Sequence, residues 1–95
     1  MQKNKHRHKN SLDYYRRRMR FSTPDVAYLL GHQNSKTVAD YERGTRLPTL
    51  INALKLSAIL RTPVEFLFGE LYEDLRNGIR AEEERTAQPR QAMLF

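Results

Sequence analysis

Apolar residues recur at helical intervals from about residue 11 to residue 80, and the pattern predicts an all-α chain. Leu12, Tyr15 and Met19 mark a first helix over residues 11–20, capped by Ser11 or Asn10. A second opens at Ser22-Thr23-Pro24-Asp25, where the Ser22 hydroxyl can accept from the N–H three residues on and Asp25 can reach back to the Ser22 N–H. Pro24 is tolerated because first-turn N–H groups have no intrahelical partner. Val26, Ala27, Leu29 and Leu30 form its inward stripe, Ala27 is small enough to let another helix cross closely, and Gly31 supplies the backbone freedom that ends it. After the turn Gly31-His32-Gln33-Asn34, a third helix starts from Asn34 as its cap. Val38 and Tyr41, three apart, face inward, which turns Ser35, Lys36, Thr37, Ala39, Asp40 and Arg43 outward until Gly44 closes the helix.

Residues 45–48 form a loop, since Pro48 disfavours helix at Leu47 and Thr49 caps the next segment. Residues 49–60 are a core helix, with Leu50, Leu54, Ser57 or Ala58, and Leu60 or Ile59 along its buried side. Thr62-Pro63-Val64-Glu65 repeats the start signal. Val64, Phe66, Leu67 and Phe68 then exceed what one stripe can bury, so either the core takes both sides or one side meets a second subunit. Beyond residue 69, Leu71, Leu75 and Ile79 step by four and predict a further helix from about residue 70 to 85, with Asn77-Gly78 as a candidate break. Glu82, Glu83 and Glu84 read as a solvated face, and residues 92–95 as an apolar tail.

Charge adds a direction to this picture. The 17 Lys and Arg outnumber the 11 Asp and Glu by six, which favours polyanionic partners. Up to Arg20 there are eight basic residues against Asp13 alone, so the positive charge is concentrated in the first fifth of the chain. Residues 1–10 carry Lys3, Lys5, Arg7 and Lys9 with nothing apolar after Met1, as expected of an arm disordered when free. It is either a solvated tail or an arm that follows phosphates or enters a minor groove. Arg16 and Arg20 border the helix pair and are candidates for contact with a nucleic-acid backbone. The chain has no cysteine, hence no disulfide framework, and the three histidines do not form a metal-binding pattern. No apolar run is long enough for a membrane span.

These residues also form an ordered set: Ser22 with Asp25, Ala27, Leu29-Leu30-Gly31, Val38, Tyr41-Glu42-Arg43-Gly44, Arg46-Leu47-Pro48-Thr49, Ala53-Leu54-Lys55-Leu56 and Pro63-Val64-Glu65. As a set, over about half of the chain, it resembles the Cro/repressor (Xre-type) helix-turn-helix family. The resemblance implies a five-helix, lambda-repressor-like domain over residues 11–69, with the arm before it and a C-terminal helical extension and tail over residues 70–95. It implies a sequence-specific, double-stranded-DNA-binding transcriptional regulator, a cytoplasmic repressor that associates with the nucleoid and binds a palindromic operator as a homodimer. The turn is one residue longer than the commonest family turn, so Asn34 joins Ser35, Lys36, Thr37 and Asp40 as base-contacting candidates. Lys36 suits guanine acceptors, Asp40 can accept from cytosine, and the Thr37 methyl can touch thymine. The resemblance places Thr23, Arg43 and Arg46 against the DNA backbone, and a dimer contact through Phe66, Phe68, Leu71 and Leu75.

Two alternatives stay open at this level. The same DNA-binding core can belong to an antitoxin that represses its own operon, with the C-terminal extension engaging a toxin as protein partner. A basic RNA-associated protein is the other, although no exposed aromatic platform for single strands stands out. An enzyme is not expected, nor is a cofactor. The sequence has no glycine-rich phosphate loop, no nucleophilic triad and no paired carboxylates at a telling spacing.

Overall fold

The computed structural model describes residues 9–94, with side chains through residue 86. Among them are six helices and no strand: α1 (Leu12–Arg18), α2 (Thr23–Leu30), α3 (Lys36–Arg43), α4 (Leu50–Leu60), α5 (Val64–Leu67) and α6 (Gly69–Leu94). None is long and apolar enough to cross a membrane. The arm proposed for residues 1–10 lies almost wholly outside the described residues.

Each short helix is made by chemistry at its ends. The Ser22 hydroxyl accepts from the Asp25 N–H at 3.1 Å, and the Asp25 carboxylate accepts from the Ser22 N–H at 2.8 Å, so the reciprocal cap of α2 forms as read. Gly31 (φ 89°) and Gly44 (φ 78°) end α2 and α3 in the left-handed region that a Cβ would strain. Lys55 donates to the Leu30 carbonyl at 3.3 Å, satisfying one of the orphan acceptors at the end of α2. Thr49 caps α4 by accepting from the Asn52 N–H at 3.2 Å.

Leu12, Val26, Ala27, Leu30, Val38, Tyr41, Leu56, Leu60, Leu67 and Phe68 form the core. Around it α2 packs on α3 and α4, α1 on α3, and α5 bridges α4 to α6. The Ser11 N–H donates to the Leu67 carbonyl at 2.8 Å and ties the start of α1 to α5. No buried side-chain nitrogen or oxygen among the described residues is left without a hydrogen-bond partner.

The structure departs from the sequence pattern at several points. Leu29 is exposed, because the buried arc of α2 runs through Val26, Leu30 and Ala27 and leaves Leu29 at its edge. On α4 the buried positions are Leu56 and Leu60, whereas Leu50 is 73% exposed and Leu54 is also outside. Thr62 does not start α5: its hydroxyl donates to the Leu60 carbonyl at 2.9 Å, its own carbonyl accepts from Ser57, and Pro63 takes the position before the helix. Phe68 is 6% exposed and belongs to the chain's own core, which removes it from a dimer contact, while Phe66 stays outside. Asn77-Gly78 breaks nothing, and α6 runs through both residues and beyond residue 85.

One long-range polar contact crosses this framework. Arg16 on α1 meets Glu42 on α3 through two parallel bonds, Nε to Oε2 at 2.5 Å and Nη2 to Oε1 at 3.1 Å, and its Nη1 donates to the Phe21 carbonyl at 2.9 Å. The two side chains are only 12% and 14% exposed. Hydrogen bonding to Glu42 raises the Arg16 pKa above its ordinary value, so Arg16 keeps its charge through neutral and mildly alkaline solution. Arg16 is therefore a strut between helices, not the phosphate contact expected from the charge run.

Two outcomes follow. Glu42→Gln should cost on the order of 2–3 kcal/mol in urea unfolding, because it leaves Arg16 without its counter-charge, and Arg16→Leu with Glu42→Leu should recover much of that loss. Bonding to Ser22 holds the Asp25 carboxylate below its ordinary pKa, so its contribution is full above the ordinary Asp range and fades as pH falls through the depressed value. Asp25→Asn should accordingly flatten part of the acid-side decline in stability, read from thermal unfolding across a pH series.

Candidate nucleic-acid interface

The reading unit expected from the sequence corresponds to α2, the connection at residues 31–35, and α3. Eight residues make α3 too short to hold itself, so its orientation comes from what it touches. Val38 and Tyr41 enter the core. The Tyr41 hydroxyl accepts from Asn52 Nδ2 on α4 at 3.0 Å, and the Tyr41 carbonyl accepts from Asn10 Nδ2 at 2.9 Å. Asn10 also accepts from the Leu12 N–H at 3.0 Å, so one side chain joins the beginning of α1 to the end of α3. With Glu42 held by Arg16, the inner side of α3 is fixed from three directions.

The outer side is polar and open. Lys36 and Arg43 are exposed, Thr37 is half-buried, and Asn34 is exposed just before the helix. Asn34 is not the residue from which α3 departs: the helix begins at Lys36, Ser35 precedes it without a side-chain cap, and Asn34 Oδ1 accepts from the Lys36 N–H at 2.9 Å. Asn34 and Thr37 line one shallow depression together with Gly31, His32 and Gln33. His32 and Gln33 stand beside these candidates because the connection is long, and a longer connection presents more side chains beside the helix.

Asp40 requires the main correction. Expected outside with a free carboxylate, it is only 8% exposed, and its carboxylate sits between the two cations of the outer face. Arg43 Nη2 donates to Oδ1, and Lys36 Nζ lies 3.7 Å from Oδ2. The Thr45 hydroxyl and N–H both donate to the Asp40 carbonyl, at 3.3 and 3.1 Å, which fastens the chain leaving α3. Asp40 thus positions Lys36 and Arg43 and does not itself offer an acceptor to a base.

The backbone-contact candidates divide. Thr23 is half-buried at the first position of α2, Arg20 is exposed in a left-handed turn (φ 62°) just before that helix, and Arg46 is exposed on the connection after α3. Arg43 is exposed but paired, and Arg16 is withdrawn into its ion pair with Glu42. Among the described residues no group of three or more His, Asp or Glu side chains is gathered that would hold a metal ion.

Compared with known proteins, the chain matches no family model, and no curated sequence is similar to it.

Proposed function

We propose that the chain is a sequence-specific, double-stranded-DNA-binding transcriptional regulator, a repressor built on a lambda-repressor-like helix-turn-helix in which α2 supports and α3 reads. The observation that supports this reading is the asymmetry of α3. Its inner side is locked by Tyr41, Val38 and Glu42, while its outer side offers Lys36 and Thr37 in an arrangement held by a buried carboxylate. A rigid helix with short polar groups and cations on one face suits the edges of base pairs in a major groove.

In this reading Lys36 meets guanine acceptors, Thr37 contributes hydroxyl and methyl, and Asn34 approaches an adjoining base. Arg20, Arg46 and Thr23 meet phosphates, which set register without carrying sequence information directly. Asp40 keeps Lys36 and Arg43 apart and aimed. Two copies on a palindrome would present two reading helices about 34 Å apart, one per half-site.

The reading is tested by fluorescence anisotropy on a duplex from upstream of the protein's own gene against a scrambled duplex, across a salt series. A preference of roughly a thousandfold at physiological salt is expected, and equal binding with a steep salt slope on both duplexes would reject it. Lys36→Ala should cost about 1–3 kcal/mol on the preferred duplex and relax one base position, while Arg46→Ala should weaken all duplexes alike and lower the salt slope by about one. Asp40→Asn should tighten binding to scrambled duplex, by removing a negative charge near the phosphates, and reduce the preference ratio, by releasing the cations it aims. An unchanged ratio in this variant would remove Asp40 from the reading face.

A further inference from the structure

One stretch of this basic chain runs against its overall charge. Residues 62–75 carry Glu65, Glu70, Glu73 and Asp74 with no lysine or arginine, whereas residues 1–9 carry Lys3, Lys5, Arg7 and Lys9 with no acid. The acidic stretch forms α5 and the first turns of α6. There the aromatic side chains of Tyr15, Phe66 and Tyr72 line a shallow depression together with Glu65, Glu70 and Glu73, and Arg76 joins them one turn further along α6. Phe66 and Tyr72 are 59% and 46% exposed, so the depression is open and partly apolar. Among the described residues none of the three glutamates is paired with a cation, while Asp13, Asp40 and Glu42 each are.

Three features indicate what covers it. The basic segment starts beside the depression: Ser11 is bonded to the carbonyl of Leu67, the neighbour of Phe66, and Tyr15 stands one turn along α1 from Ser11. Eight extended residues reach roughly 26 Å, whereas α6 rises only about 9 Å from Glu70 to Arg76, so residues 1–8 span the depression with length to spare. The spacing matches as well. Lys3, Lys5 and Arg7 alternate, which in an extended segment puts all three on one side at intervals of roughly 7 Å, and Glu70 and Glu73 lie about 5–6 Å apart on one face of their helix. Finally, the chemistry is complementary, since exposed aromatic rings beside unpaired carboxylates attract lysine and arginine heads and give their apolar stems a surface to cover. Arg76 sets the limit by repelling a cationic segment, which leaves the part between Tyr15 and Glu73.

We propose that in the protein free of nucleic acid the depression holds residues 1–8 of the same chain, with Lys3, Lys5 and Arg7 on Glu65, Glu70 and Glu73 and their stems on Phe66 and Tyr72. The contact stands on charge and aromatic surface within one chain and does not rest on the DNA reading. Where that reading holds, the glutamates compete with phosphates for the same cations, and a duplex that engages the arm takes it from α5 and α6.

Paramagnetic broadening in the full chain tests it. The chain has no cysteine, so Gln2→Cys gives a single attachment point for a nitroxide. At about 0.01 M salt the label should broaden the amide signals of Phe66, Tyr72 and Glu73 most strongly, and about 1 M salt, which screens charges within about 3 Å, should restore them. Glu70→Gln with Glu73→Gln, both on exposed side chains, should abolish the broadening while helical circular dichroism is retained. Broadening centred elsewhere, none at low salt, or broadening unchanged in the glutamine variant overturns the proposal. So does broadening of an isotope-labelled chain by a nitroxide carried on an unlabelled copy, which would give the contact to a second molecule. A chain that prefers its duplex without this broadening would overturn the contact alone, whereas the broadening without duplex preference would overturn the DNA reading and leave the contact standing.

Discussion

The bond between Arg16 and Glu42 sets the orientation on which the rest of the molecule's outer face depends. Two apolar anchors, Val38 and Tyr41, hold α3 against the core, and the Asn52 and Asn10 bonds to Tyr41 limit its rotation about its own axis. A forked guanidinium–carboxylate contact narrows that rotation further from the other side of Tyr41, because both bonds are satisfied only over a narrow range of angles. Taking two charges out of water is costly, and the third bond from Arg16 to the Phe21 carbonyl helps offset that cost. The contact spans 26 residues of sequence, so α1 serves as a brace for a helix it does not adjoin in the chain.

Around this brace the short helices share a common device: the polar groups at their ends are satisfied by donors from elsewhere in the chain. Asn10 serves the end of α3, Lys55 the end of α2, and Ser11 the carbonyl of Leu67. Each such bond binds two helices together while completing one of them. A fold of helices this short gains cooperativity in this way, since fraying at one end of a helix also releases a neighbour.

What was legible in the sequence was local. The reciprocal cap of Ser22 and Asp25, the left-handed glycines at 31 and 44, and the inward pair Val38 and Tyr41 each depend on residues within a few positions of one another. From that pair the exposure of Lys36 followed. The rest depended on partners distant in sequence. On α4, Leu50, Ile51, Leu54, Leu56, Ile59 and Leu60 cover nearly every side, so periodicity could not choose the buried face; packing on α2 and α5 chose it. Arg16, Arg17 and Arg18 are chemically identical in the sequence, and only the approach of Glu42 sets the first apart. Asp40 read as one more polar residue on an outer face because nothing local showed that Lys36 and Arg43 converge on it from either side.

That convergence has a consequence for how such a surface can change. Lys36 and Arg43 share the single carboxylate of Asp40, so none of the three side chains is placed independently of the other two. Replacing Lys36 alone leaves Asp40 pulled wholly toward Arg43, and replacing Asp40 alone leaves two cations two helical turns apart with no anion between them. Substitutions at these positions are therefore epistatic, with effects in combination differing from the sum of their separate effects. In the proposed reading, a change of target sequence is reached most readily by exchanging the triplet as a unit.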